Sequence, residues 1–265
     1  MTCVTRNFSY GNTTKTLKSA YSDSVFVLEL QNGSIHESEI VVLLGENGVG
    51  KSTFISLMAG RIDADGDPCS SQLPISYMAP VLRFDFEGTV SELLQQKIAQ
   101  VWTDPQFKSI VIEPMKIEGI MAKSVKELST GDIQRILIVL TLGQPAELYL
   151  LDEPLAHLDV EQRMIAADVV KKFIRCMKKA AFIVEHDLMM ASYMADAVVV
   201  FEGTPGTNCV ALSPMGLFRG MNHFLRRLDV TMRRQSVDFV PRINKSDSIA
   251  HKNQKKSGDF FFWDD

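Results

Sequence analysis

Gly45-Glu46-Asn47-Gly48-Val49-Gly50-Lys51-Ser52-Thr53, preceded by the apolar run Ile40-Val41-Val42-Leu43-Leu44, decides the fold. Its first eight residues fit the pattern G-x-x-x-x-G-K-[ST]. The run before it reads as a buried strand, and residues 52–59 read as the start of a helix. A strand that feeds a glycine-rich turn and then a helix N-terminus points several backbone N–H groups at one spot, where the helix dipole adds partial positive charge. Phosphate suits such a spot. Lys51 reaches the β- and γ-phosphates of a bound ATP, and the Ser52 hydroxyl holds Mg²⁺.

The rest of the composition bounds what surrounds that loop. The chain has 265 residues, 46% apolar and 23% charged, enough for one large domain or one with a small appendage. No apolar stretch approaches the roughly 18 residues that a membrane span needs. The opening MTCVTRNFSY lacks the apolar core of a secretory signal. Cys3, Cys69, Cys176 and Cys209 are far apart and form no C-x-x-C pair, which reads as reduced thiols in a cytoplasmic protein. Charge is uneven. Residues 1–218 carry 18 Lys+Arg against 26 Asp+Glu, a net of −8, and residues 219–256 carry 10 against 3, a net of +7. An acidic body suits a protein that handles Mg-nucleotide. The basic segment reads either as a solvated helix face or as a surface for RNA or an acidic partner.

Outward from the loop, Phe8, Tyr10, Val25 and Val27 suggest short period-2 strands. Thr89-Val-Ser-Glu92 fits a capping box opening an amphipathic helix, and residues 89–127 read as mainly helical. Ser129 or Thr130 caps a helix that stops at Gly143-Gln-Pro145. Short apolar strands end at Asp152 and at Glu185, and helices follow each. Strand–helix–strand alternation argues for a mostly parallel sheet covered by helices. The segment from about Leu212 reads as helical to Met232, then irregular and polar to the end.

Four elements carry chemistry. LYLLDEP (148–154) puts Asp152 and Glu153 at the carboxyl end of a buried strand, where ligands bind in open α/β sheets. There Asp152 can organise Mg²⁺, and Glu153 can polarise an attacking water. ELSTGDIQR (127–135) puts Ser129 and Gly131 at a helix N-terminus, a second anion site. His186, just past a strand end, can hydrogen-bond a γ-phosphate or the attacking water. With the phosphate loop these make the four.

In this order the motifs resemble the nucleotide-binding domain of ATP-binding-cassette proteins over roughly residues 5–210, with Walker A, signature, Walker B, D-loop and switch histidine in turn. That resemblance implies an α/β P-loop NTPase fold with a mostly parallel core sheet and helices on both faces. It also implies an N-terminal antiparallel β part and a helical signature subdomain at about residues 88–143. Residues 1–211 form the cassette domain in this reading, and residues 212–265 a hinge-like basic segment and tail. The blocks ESEIVVLLGENGVGKSTF, LGQPAELYLLDEPLAHLDVEQR, GMNHFLRRLDVTMRR, PRINKSDS and QKKSGDFFFWDD are similar to the second nucleotide-binding domain and C-terminal hinge of the RNase L inhibitor family, ribosome-recycling ATPases. The resemblance implies ATP and Mg²⁺ as ligands and Mg-ATP hydrolysis that drives ribosome-subunit splitting, with a role in initiation. Small-subunit rRNA and release or initiation factors are the implied partners, with no membrane. It further implies that Ser129, Gly131 and Asp159 serve a nucleotide held by a second nucleotide-binding domain, from another copy or another chain. Tyr10 matches the aromatic that stacks on adenine.

Three departures stand out. The family's iron–sulfur domain and first nucleotide-binding domain are not in this sequence, and four scattered cysteines cannot ligate two Cys₄ clusters; a half-length member with no iron–sulfur cluster is expected. The Q-loop reads Tyr77-Met-Ala-Pro80, so Pro80 or Val81 stands where a glutamine amide would touch Mg²⁺ and water. The signature reads LSTGD, with Thr130 in place of glycine and Asp132 in place of a longer acid. Impaired turnover follows from the lost glutamine. A nucleotide-binding regulator with little turnover is therefore the alternative, and the ATPase subunit of a membrane transporter a further one.

Overall fold

The computed structural model describes residues 7–18, 24–66, 73–80, 84–234 and 241–263. Cys3, Cys69 and Val81 lie outside them. In chain order, β1 (Asn7–Tyr10), β2 (Thr13–Lys18), β3 (Val25–Leu30) and β4 (Gly33–His36) lead to β5 (Ile40–Leu44), the loop and α1 (Lys51–Met58). Then come β6 (Ile75–Met78), α2 (Val90–Trp102), the single turn α3 (Pro105–Phe107), α4 (Thr130–Leu142), β7 (Leu148–Asp152), α5 (Val160–Cys176) and β8 (Ala180–Val184). After α6 (Leu188–Met194) follow β9 (Ala197–Gly203), β10 (Asn208–Ala211), β11 (Met215–Gly216), α7 (Leu217–Leu228), β12 (Met232–Arg234), β13 (Pro241–Ile243), α8 (Ile249–Ser257) and β14 (Phe261–Trp263).

Two compact units divide these elements. The first takes the described residues up to 35, then 40–66 and those from 185 onward. In it β5 lies parallel to β9, Val41 opposite Ala197, and β9 runs antiparallel to β10. Beyond, β10 is parallel to β3, and β2 pairs antiparallel with β3. All five residues of β5 are buried, as a strand covered on both faces requires. Behind the loop the core is aromatic: Phe54 meets Tyr10 and Phe201 edge-on, with ring centroids 5.6 and 5.9 Å apart.

The second unit takes residues 36–39 and 73–184. Here β6, β7 and β8 are parallel, with Ile75 opposite Leu148 and Leu148 opposite Ala180. The Thr89 capping box forms: Glu92 N donates to Thr89 Oγ1 at 3.3 Å, and Thr89 N donates to Glu92 Oε2 at 2.7 Å. The helical stretch from 89 to 127 is more broken than its amphipathic pattern suggests. Ile98 departs from helical geometry inside α2, residues Lys108–Ile112 form a π turn, and Ile117–Ile120 and Val125–Glu127 are 3₁₀ turns. Gly143 explains the Ile98 kink in part, because a Cβ there would stand 2.7 Å from Ile98 Cγ2.

The C-terminal segment differs most from its sequence reading. Helix α7 ends at Leu228, and the stretch expected to be irregular forms a three-stranded sheet, β13-β12-β14, beside α8. Three-residue strands are too short to show a period. The interior of this part mixes apolar and polar groups: Met232, Phe260 and Phe261 are buried, and so are Thr231, Asn244 and His251. The Thr231 hydroxyl lies 2.9 Å from His251 Nδ1, and Asn244 Nδ2 donates to Thr231 Oγ1 at 2.9 Å. On α7, Asn222 acts as a substitute strand for β14, accepting from Phe261 N at 3.0 Å and donating to Phe261 O at 3.2 Å. Among the described residues no helix is long and apolar enough to cross a membrane.

Helix α7 reaches β9 through Gly220, where a Cβ would stand 2.0 Å from Val198 Cγ2. Gly220→Ala is expected to cost about 1–3 kcal/mol of stability, as forced overpacking does. Equilibrium urea unfolding measures it, and an unchanged midpoint would mean that α7 is not seated on β9 through this glycine.

Candidate nucleotide-binding and hydrolytic site

In the first unit the loop leaves the buried end of β5 and turns through Gly48 at φ 79° and Gly50 at φ 99°. Gly50 is the left-handed N-cap of α1, a position that disfavours any side chain. No side chain caps α1, so its N-terminal N–H groups stay available to a ligand. Val49 is buried and pins the loop down, and Gly206 N braces it by donating to Gly48 O at 3.1 Å. Lys51 is 6% exposed. Its Nζ donates to Gly45 O at 2.9 Å and to Glu46 O at 2.8 Å, which folds the ammonium over the mouth of the loop. Ser52 is exposed and Thr53 half-buried on the first turn of α1. Cation, helix N-terminus and outward hydroxyl form a donor set that fits a nucleotide phosphate with Mg²⁺.

Beside the loop lies a cavity of about 280 Å³ lined by Gly45, Glu46, Asn47, Glu185, His186 and Phe224, among others. His186 is exposed there. Its backbone is fixed from both sides: Glu185 Oε1 accepts from His186 N at 3.0 Å and from Asp187 N at 3.1 Å, and Asp187 caps α6 by accepting from Met189 N at 2.9 Å. Burial pushes the Glu185 carboxyl above its ordinary range, against the pull of those two N–H groups. Glu185 went unread in the sequence. Its signal was an acid directly after a wholly apolar strand.

Tyr10 is 7% exposed, and its ring packs edge-on against Phe54. The aromatic at the loop is half-buried Phe26, whose ring edge would lie 2.9 Å from a Cβ on Gly50. A period-2 strand reading cannot tell which of two neighbouring aromatics faces a loop.

In the second unit, Asp152 ends β7 and is 3% exposed. Glu153 follows at φ 51°, with its N donating to Val184 O at 3.1 Å. The chain turns again at His157, φ 59°, before Asp159 caps α5 by accepting from Gln162 N at 2.8 Å. Ser129 caps α4: its hydroxyl accepts from Asp132 N at 3.1 Å, and Ser129 N donates to Asp132 Oδ2 at 3.4 Å. Accepting leaves the Ser129 O–H able to donate outward. Asp132 is buried, yet the Ser129 bond and the adjacent Arg135 guanidinium outweigh burial and hold its carboxyl below the ordinary range. The shorter acid therefore still closes the cap. Thr130 is exposed, so the extra methyl and hydroxyl of this departure stand in solvent. Pro80, exposed after β6, supplies no amide. Gly131 lies against the 153–159 turn, where a Cβ would stand 3.4 Å from His157 O.

Thus the loop and His186 share a cavity in one unit, and Ser129, Gly131, Asp152, Glu153 and Asp159 lie in the other. Residues 28–156 match the ABC transporter family. Translation initiation factor RLI1 of Saccharomyces cerevisiae is 46% identical over 261 residues, which are 98% of this chain and 42% of that protein. ABC transporter E family member 3 of Arabidopsis thaliana is 46% identical over 163 residues, 59% of this chain and 90% of that one. An archaeal ribosome recycling factor, aABCE1, solved in complex with the ribosomal stalk protein aP1, superposes with a TM-score of 0.90 at 35% identity. That match covers 98% of this chain and 50% of the other. The chain spans about two fifths of the length of RLI1. On this sequence and structural kinship, the chain belongs to the E family of ATP-binding-cassette proteins, the RNase L inhibitor family.

Proposed function

We propose that this chain binds Mg-ATP on residues 45–53 and hydrolyses it, and that the cycle drives ribosome-subunit splitting and serves initiation. The observation that carries the nucleotide reading is the Lys51 ammonium, 6% exposed and donating to Gly45 O and Glu46 O at the mouth of a loop that turns through two left-handed glycines into the N-terminus of α1. A phosphate oxygen is the stronger acceptor and takes that ammonium over. Ser52 and Asp152 hold Mg²⁺, which neutralises charge on the phosphate oxygens. Glu153 orients the water for in-line attack and accepts its proton, and His186 hydrogen-bonds the γ-phosphate from a backbone that Glu185 fixes. Ser129, Gly131 and Asp159 serve the nucleotide of a second nucleotide-binding domain. The ribosomal part rests on the kinship with proteins named a translation initiation factor and a ribosome recycling factor. The basic segment 219–256, net +7, supplies charge for rRNA phosphates. Cytoplasmic location, release or initiation factors as further partners and the lack of an iron–sulfur cluster in this chain belong to the same proposal.

Pro80 favours a second reading, a nucleotide-binding module with little turnover. The two part on Glu153→Gln. As an ATPase, the chain is expected to lose about 10²–10⁴-fold in kcat, the worth of a general base, while keeping ATP affinity. Equal slow turnover in both proteins, with ATP bound, supports the module. Light scattering of Glu153→Gln with Mg-ATP tests the pairing. An ATP-dependent dimer means that the second domain is another copy, and a monomer means that the family's other half or a different partner supplies it. Phe26→Ala is expected to raise the ATP Kd by about tenfold, as loss of one base-stacking ring does, and Tyr10→Leu, which removes the ring and keeps an apolar side chain, is expected to leave it unchanged. Calorimetric titration reads both, and the reverse order would place adenine on Tyr10.

A further inference from the structure

Gln134 lies one turn into α4 and is 5% exposed. Its Nε2 donates to Glu153 O at 3.0 Å and to Pro154 O at 2.8 Å. Both partners are carbonyls, so it is the nitrogen of the amide that faces them, and both of its N–H groups are engaged. The Glu153 carbonyl takes a second bond from Ala156 N at 3.1 Å. The turn held in this way is costly. Glu153 at φ 51° and His157 at φ 59° are non-glycine residues in the left-handed region, which persists only where the surroundings over-determine it.

We propose that Gln134 is a positioning residue, which ties the backbone turn carrying Glu153 to the signature helix α4. The inference rests on the ATPase reading of Glu153. Helix α4 begins at Ser129 and Gly131, which that reading assigns to the nucleotide of a second domain. One buried amide thus links the helix end that meets a partner's nucleotide to the backbone that presents this chain's own water-orienting carboxylate. When the first turn of α4 shifts, carbonyls 153 and 154 are drawn with it. Gln134 touches no substrate and acts through the main chain of its neighbour. A glutamine that only filled space would tolerate methionine, which matches its shape and lacks its donors.

The test uses the full chain as wild type, Gln134→Met and Gln134→Glu. Steady-state ATPase, ATP affinity and amide hydrogen exchange over residues 153–158 are measured on each. Gln134→Met is expected to keep ATP affinity within about twofold and to lose kcat by about tenfold or more, the cost of two hydrogen bonds realised in one step. Relative to wild type, Gln134→Glu is expected to be slow near about pH 8 and to recover as pH falls towards about 6. Its ionised carboxylate is repelled by the two carbonyls, whereas the protonated form again has a donor. Exchange at residues 153–158 is expected to quicken in both variants. Unchanged kcat in Gln134→Met, a Gln134→Glu profile parallel to wild type, or equal exchange in all three proteins overturns the proposal. The pH profile is read within one protein, so Gln134→Glu carries the test even if Gln134→Met fails to fold. Absence of Glu153-dependent turnover in wild type sinks the ATPase reading instead, and exchange then decides the inference alone.

Discussion

A fully buried parallel strand must end where its last backbone groups find partners, and in this chain the loop, Glu153 and His186 each follow such an end. Strands β5, β7 and β8 are buried along their whole length, so none can simply fray into water at its carboxyl end. After β5 the chain turns through two left-handed glycines into the N-terminus of α1. After β7 it turns through a left-handed glutamate whose N–H is taken by Val184 O. After β8 the Glu185 carboxylate itself accepts the next two N–H groups. The loop, Glu153 and His186 occupy these three strand ends because sharp turns there put side chains and N–H groups outward.

The three ends solve their charge differently. Lys51 is a buried cation that donates to carbonyls of its own loop, so its charge is not left in apolar surroundings. Glu185 is an acid that burial pushes towards neutrality, which suits a group whose task is to hold backbone rather than to carry charge next to a phosphate site. Asp132 is buried too, yet the Ser129 bond and Arg135 keep it ionised. Its acidity therefore stabilises the start of α4 through the helix dipole and the cap. Burial has the same sign for both acids, and the partners decide the outcome.

Much of this was legible in the sequence. The loop, Asp152, Glu153 and the Thr89 cap each depend on residues a few positions apart, and such local geometry is what spacing encodes. The packing of Tyr10 on Phe54 was not legible, because alternation says that one face of a strand is covered without saying by what. Gln134 was hidden for a different reason. Its partners are 19 and 20 residues away in sequence, and an amide inside an apolar helix face carries no mark of the carbonyls it will meet. The C-terminal sheet was missed because its strands are three residues long and its core adds the polar Thr231, Asn244 and His251 to Met232, Phe260 and Phe261, so a composition that signals a solvated tail there marks part of an interior.

The departures from the family pattern also sort by physics. Thr130 stands in solvent, and Asp132 rebuilds the cap that a longer acid would make; both changes are absorbed within one turn of α4. Pro80 is a change of another kind, since a ring with no donor replaces an amide and no rearrangement of its backbone restores one. A chain that hydrolyses ATP without that amide must fix its water with fewer groups. The geometry of Glu153 then matters more than it would in a complete set, and that geometry is a left-handed turn whose ties include Val184 O, Ala156 N and the two donors of Gln134. The buried amide of α4 stands in this sense where the Q-loop's contribution is missing. Its two bonds fall on the carbonyls of residues 153 and 154, so it ties down the backbone of Glu153 rather than its carboxylate.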